Sequence, residues 1–296
     1  MITGFSIIYE DEILYVSNES KYTSFEIILF IEKLISSINP KRTWHLSSII
    51  FEGFHFGKES MAIKHVITEK DENLFFCIDG DFSPLSEKAR KMVNEFRSKI
   101  KKLYKTPANL KKASQKQIFK EIIEPITDHL WDKYDEEIEE EVEPRTDTSG
   151  KSNILYTGVS AQGLPIISQL YDKSLLDNLD KKITDENVDL FSSDISAKLA
   201  TIAMNTAIRA KTNIKEIHIQ DREQEHGQKL ILYGKINDYS LDFFASGDYY
   251  EVLEVFEKLK ERLLQEGILQ EEFQGQLKEY KPLKSVIDES IRILDN

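Results

Sequence analysis

Two stretches that lie about 150 residues apart share one pattern of hydrophobic and polar positions: a short apolar run, a short polar segment and a second apolar run. The first comprises Phe5–Tyr9 and Ile13–Ser17, with a short acidic stretch between them, and the second comprises Ile154–Ser160 and Pro165–Tyr171. Two short apolar runs separated by a short polar segment predict a β-hairpin. Gly163 is the expected turn residue of the second hairpin, so both stretches are interpreted as strand–turn–strand.

The same series of elements follows each hairpin. The pattern predicts helices where apolar residues recur at helical spacing and strands where they alternate. In the first half these are the helix Thr23–Ile38, the strands Thr43–Phe51, Met61–Glu69 and Leu74–Asp79, and a helix opening at Ser83-Pro84. In the second half they are the helix Ser193–Lys211, the strands Asn213–Gln220, Lys229–Ile236 and Ser240–Ala245, and the helices Tyr249–Gln265 and Pro282–Leu294. The order β-β-α-β-β-β-α therefore occurs twice.

A chain of 296 residues is long enough for about two domains. Domain 1 is assigned to residues 1–134 and includes an extra helix, Ile118–Tyr134, kinked or started near Pro125. Residues 135–152 are first acidic and then rich in Pro, Thr, Ser and Gly, which predicts an extended linker because like charges repel one another. Domain 2 is assigned to residues 153–296 and ends in the terminal helix.

The first helix of each half is apolar around most of its circumference. A helix that covers one face of a sheet needs an apolar stripe only about 100° wide. The additional apolar residues therefore indicate that each helix packs against a second element besides the sheet. Either each helix lies deep in its own domain, or the two helices meet at a domain–domain or subunit interface. The second interpretation makes Phe25, Leu29, Glu32, Ile202 and Met204 the candidate interface residues. It predicts that aspartate at both Leu29 and Met204 separates the halves or makes the protein insoluble.

Composition narrows the classes of function. The net charge of −13 disfavours nonspecific binding to nucleic acid and purely electrostatic attachment to membranes. The single cysteine, Cys77, excludes an internal disulfide and a Cys-rich zinc site, and its apolar surroundings predict a buried side chain. The N-terminus lacks the pattern of a signal peptide, and no apolar run is long enough to span a bilayer. A cytoplasmic location is the simplest interpretation.

Candidate catalytic motifs are weak. The segment Thr148–Ser152 resembles the end of a phosphate-binding loop, but Arg145 replaces a required glycine. The acids of Asp79-Gly80-Asp81 suit either Mg²⁺ or, as the preferred interpretation, a strand-to-helix turn whose Asp or Ser caps the next helix. His218 and His226 lie close enough along a predicted hairpin to suggest a metal pair, although no ligand motif surrounds them. The sequence thus predicts no catalytic residues, no metal and no cofactor.

The repeated element order, with a tight hairpin first, resembles the longin domain, a profilin-like α-β-α sandwich related to the roadblock domain. The matching segments in the first half are GFSIIYEDEILYVS, TSFEIILFIEKLISSI and ENLFFCIDGDF leading into SEKARKMVNEFRSKIKKLY. Those in the second half are NILYTGVSAQGLPIISQLY and LILYGKINDYSLDFFASGDYYEVLEVFEKLKERL. The resemblance implies an α/β (α+β) fold of two longin-like sandwich domains, each with a five-stranded, mainly antiparallel sheet. The hairpins resemble those of archaeal longin-like proteins. The insertion at Asp172–Asp189 and the extra first-half helix depart from the family pattern.

The function implied by the resemblance is binding. Longin and roadblock domains pair, the pairs form platforms for small GTPases, and tandem or paired longin modules occur in exchange factors for Rab-type GTPases. Other longin domains sit on vesicle-trafficking adaptors and fusion proteins. The resemblance therefore implies a non-catalytic protein that binds, and regulates, a small Ras/Rab/Arf-type GTPase or another longin/roadblock protein. Its domains would pair within the chain or in a homodimer, and a partner would bring it to membranes. The alternatives are a scaffold or adaptor without a GTPase, a small-molecule sensor, and an enzyme of another class.

Overall fold

The computed structural model describes residues 1–53, 58–141, 152–177, 184–222 and 227–294. The fold is mixed α/β, built on one antiparallel sheet of ten strands. The strands β1–β10 are Ile2–Tyr9, Glu12–Val16, Trp44–Glu52, Lys58–Ile67, Asn73–Gly80, Asn153–Ala161, Leu164–Leu170, Ile214–Asp221, Gly227–Ile236 and Tyr239–Ser246. The α-helices α1–α8 are Tyr22–Ile38, Glu87–Leu103, Pro107–Ser114, Ile118–Glu139, Ser174–Asp177, Asp185–Asn205, Tyr249–Leu264 and Lys281–Leu294. A π-helical turn, Thr206–Ala210, extends α6.

The two halves of the chain join edge to edge. The strand order is β2-β1-β5-β4-β3-β8-β9-β10-β6-β7, so β3 of the first half pairs with β8 of the second. Their register brings Ile49 opposite Ile217 and Trp44 opposite Asp221. The separate five-stranded sheets expected from the sequence are therefore merged into one continuous sheet within a single molecule.

Each face of the sheet is covered by helices, and the alternation of side chains along the strands decides which residues meet them. On one face, α1 and α6 pack on a core that runs through both halves, with Ile8, Phe75 and Ile231 among its strand residues. On the opposite face, α2 and α4 cover a first-half core that contains the neighbouring Ile7 and Phe76. On that same face, α7 and α8 cover a separate second-half core. The shared face is thus the one that connects the two halves.

Several element boundaries differ from the sequence-based expectation. Helix α2 begins at Glu87 instead of near Ser83, because Ser86 is its N-cap and accepts a hydrogen bond from the Ala89 backbone N–H. Helix α6 begins at Asp185 and so takes up part of the predicted insertion. Thr184 caps it, and the acids of its first turn favour the positive end of the helix dipole.

Helix α4 runs unbroken through Pro125 and continues to Glu139, so the first residues of the predicted linker are helical. Asp135, in that stretch, accepts a hydrogen bond of 2.7 Å from the backbone N–H of Ile2. The rest of the predicted linker at residues 142–151, including residues 148–151 of the loop-like motif, lies outside the described residues. Gly163 is the predicted turn residue, with a φ of +79° beside Gln162 at +51°, as a two-residue type I′ hairpin requires.

Candidate functional site

The predicted interface helices lie beside each other on the shared face of the sheet. Helix α1 contacts both α6 and the π-helical turn that follows it. Phe25 of α1 and Ile202 of α6 are buried in the core that runs through both halves, and Leu29 is partly buried against the same core. Three of the five candidate residues are therefore brought together around one core.

Met204 and its neighbour Ile208 point away from that core. Their exposed fractions are 47% and 68%, whereas Ile195, Leu199 and Ile202 of α6 are buried. The Met204 sulfur lies near the second hairpin, 3.6 Å from the point where a Cβ of Gly163 would stand. We call Met204 and Ile208 the exposed apolar strip. This strip is exposed apolar surface beside the contact between α1 and the π-helical turn.

Arg209 connects this strip to the first half. Its guanidinium lies 3.6 Å from the Glu26 carboxylate and 5.4 Å from the ring centroid of Phe30, both on α1. An exposed ion pair adds little stability, and a cation over an aromatic ring adds about 0.5–1 kcal/mol. Arg209 therefore orients the π-helical turn against α1 more than it stabilises the fold.

Glu32 lies in the first half and faces strand β4. Its Oε1 accepts a hydrogen bond of 2.7 Å from Ser36, and its Oε2 is 3.9 Å from Nδ1 of His65. Burial raises the pKa of Glu32 to about 7. The contacts of this candidate residue are thus with its own half of the chain.

Leu29 is partly buried and Met204 is exposed, so the two aspartate substitutions should differ in their effect on the free energy of unfolding. Leu29→Asp should lower the free energy of unfolding by about 2 kcal/mol, because it places a charge against the shared core. Met204→Asp should change it by about 0.5 kcal/mol or less, since that side chain is half exposed. Urea denaturation of the two single variants measures both effects. Equal losses of stability would contradict the placement of Leu29 against the core and of Met204 at the surface.

Sequence reasoning missed a buried carboxyl group in the second half. Asp242 of β10 is fully buried, and neither of its oxygens has a hydrogen-bond partner among the described residues. The hydroxyls of Tyr156 and Tyr233 are likewise buried and unpartnered there, and burial followed by the Asp242 charge raises the pKa of both tyrosines. Burial alone raises the pKa of Asp242 to about 7.

The sheet register places a glycine opposite Asp242, and the absence of a side chain there leaves room for the Tyr156 hydroxyl. Asp242 pairs with Gly158, whereas the matching pair of the first half is Cys77 with Ser6. The Tyr156 hydroxyl occupies the space where a Cβ of Gly158 would stand. The only sequence signal was a charged residue among the alternating apolar residues of a central strand.

Of the Asp or Ser expected to cap the helix after β5, the cap is a serine and not Asp79. Asp79 lies within β5 and is fully buried, while α2 is capped by Ser86. Its Oδ2 accepts a hydrogen bond of 2.7 Å from Thr3 and lies 3.1 Å from the Lys21 ammonium, which also contacts Glu59. Burial and the neighbouring Glu59 raise the pKa of Asp79. This cluster ties α1 to strands β1, β4 and β5.

Within the described ranges, no group of three or more His, Cys, Asp or Glu side chains is placed to bind a metal ion. His218 contacts Glu216 and Gln228, each at 2.9 Å, while His226 lies outside the described residues. The structure therefore leaves the His218–His226 pair as a prediction. Cys77 is buried, as the sequence predicted.

Comparison with known proteins does not identify a family for this chain. No known protein family matches the chain, and no curated protein matches it either. Across the described helices, none combines the length and apolar character needed to cross a bilayer.

Proposed function

We propose that the chain is a tandem longin-like protein whose two halves form one docking platform for a small GTPase of the Ras, Rab or Arf type. Read inward from each end of the sheet, the strand orders are β2-β1-β5-β4-β3 and β7-β6-β10-β9-β8. Equivalent strands thus occupy equivalent places in the two halves. This repeat supports the longin-like assignment.

The observation that carries the platform is the edge-to-edge pairing of β3 with β8. It sets α1 and α6 beside each other on one face, so that a partner docking there would contact both halves. The exposed apolar strip at Met204 and Ile208 supplies the kind of side chains that anchor protein interfaces. Such a platform can regulate a GTPase without acid–base chemistry. A regulator accelerates nucleotide exchange when it binds the nucleotide-free GTPase more tightly than the nucleotide-bound form.

The test is a pull-down of small GTPases from the source organism in nucleotide-free, GDP-bound and GTP-analogue states. Ile208→Asp should weaken capture by about tenfold, because it places a charge in the centre of the docking strip. Leu277→Asp is the matched control, since Leu277 is also an exposed apolar residue, at 52%, but lies near the N-terminus of α8.

The nucleotide state that is preferred distinguishes the roles. Preference for the nucleotide-free form supports an exchange factor, and preference for the GTP form supports an effector or scaffold. Absence of binding in every state would overturn the GTPase proposal and favour an adaptor that recruits another protein. In each role the protein acts in the cytoplasm and reaches membranes through its partner.

A further inference from the structure

A polar cleft opens where the two halves meet. Its volume is about 360 Å³, near the lower end of the range for small-molecule sites. The first half contributes side chains from β3, β4 and α2, and the second contributes side chains from β8, β9 and Arg222 just after β8. Its polar lining includes His45, Lys64, Arg90, Asn94, Arg222 and Gln228. The pairing of the halves therefore creates this cleft.

Positive charge is concentrated in the cleft of an otherwise acidic chain. Lys64, Arg90 and Arg222 all line it, and within the described part of the chain its lining includes no Asp or Glu side chain. Burial and the neighbouring Arg97 and Arg222 lower the pKa of Lys64, so Lys64 and Arg222 lie close enough to repel one another. The carboxylates that act on Arg90, those of Glu87 and Glu141, lie outside the lining. Cations grouped in a cleft whose described lining has no acidic side chain attract an anion.

The remaining polar groups suit a ligand rich in oxygen atoms. Asn94, Gln220 and Gln228 bring side-chain amides to the same cleft. His45 is buried, and its Nδ1 has no hydrogen-bond partner among the described residues. Burial, Arg222 and Lys64 lower the pKa of His45 to about 4, so that its ring is neutral at physiological pH and forms one more polar contact without a charge.

We propose that this cleft binds a phosphomonoester group. Two guanidinium groups and an ammonium group supply several N–H donors, and guanidinium groups match the oxygens of a phosphate in bidentate geometry. A soluble phosphorylated metabolite and a phosphorylated lipid headgroup share this chemistry. Because both halves line the cleft, the bound phosphate would also stabilise the pairing of β3 with β8.

The experiment is calorimetric titration of the full chain with inorganic phosphate and with adenosine monophosphate at physiological ionic strength. Flotation with phosphatidylcholine vesicles, with and without a phosphoinositide, tests the lipid source. Saturable binding of a soluble phosphate assigns a metabolite, and binding confined to phosphoinositide vesicles assigns a lipid headgroup. Absence of both would overturn the proposal.

Matched variants separate a site from general charge attraction. Arg90→Gln and Arg222→Gln should each weaken binding by about tenfold, because each removes a charged hydrogen-bond donor from the cleft. Lys91→Gln removes the same charge from an exposed position on the same helix, outside the cleft lining, and should weaken binding by about twofold or less. Equal effects at all three positions would overturn the proposal. Circular dichroism of each unliganded variant verifies folding, and GTPase capture by Arg90→Gln shows whether the platform function survives separately.

Discussion

Replacing Ile217 with aspartate is expected to destabilise both halves of the chain together. Ile217 is fully buried in β8, opposite Ile49 of β3, in the core that both halves share. A charge without a partner in such a place costs several kcal/mol, and proteins of this kind are stable by only about 5–15 kcal/mol. The expected loss is about 4 kcal/mol or more.

Urea denaturation and peptide-resolved hydrogen exchange measure this effect. Ile208→Asp is the control, because the same change at a side chain that is 68% exposed should cost about 0.5 kcal/mol or less. Strands β1, β5 and β4 should lose protection in Ile217→Asp even though the substitution lies in the other half. Retained protection of those strands, with loss confined to β8–β10, would contradict a shared core and indicate halves that fold independently.

The order of elements was predictable because each signal is local. Strands β9 and β10 lie within two residues of their predicted limits, since alternating apolar residues and short turns mark them directly. Helix boundaries were less predictable where a cap lay outside the apolar pattern. Ser86 fixes the start of α2 one residue after Leu85, the first apolar residue used to predict that helix, and Thr184 fixes the start of α6 well before the apolar residues used to predict it.

The pairing of β3 with β8 was not predictable from the hydrophobic pattern of the strands. That pattern shows which residues form a strand, but it does not show which strand lies beside it in the sheet. One signal was present in the sequence. Strand β3 carries no Asp, Glu, Lys or Arg before Glu52, and a long uncharged edge strand would pair with other molecules. Pairing with β8 removes that exposed edge. The outward position of Met204 was equally hidden, since it depends on how α6 packs against the sheet and α1.

Asp242 gives the second large prediction, a gain of stability from Asp242→Asn at alkaline pH. Folding raises the pKa of Asp242 from 3.8 to about 7, so the folded state keeps a proton that the unfolded state loses. The contribution of this group to stability is therefore greatest below about pH 4, falls as the pH rises towards about 7, and stays low above it. Three pKa units correspond to about 4 kcal/mol, which is the upper limit of the gain expected at pH 8.

Urea denaturation of the wild type and Asp242→Asn across pH 4 to 8 measures this gain. Near pH 4 the two proteins should be almost equally stable, because asparagine resembles the protonated acid in shape. Glu32, whose pKa is also raised to about 7, acts in the same direction, so part of the pH dependence should remain in Asp242→Asn and decline further on adding Glu32→Gln. Parallel stability curves for the wild type and Asp242→Asn would show that Asp242 does not titrate in this range. A gain that grows only as the pH rises instead identifies the buried carboxylate as the group that opposes folding.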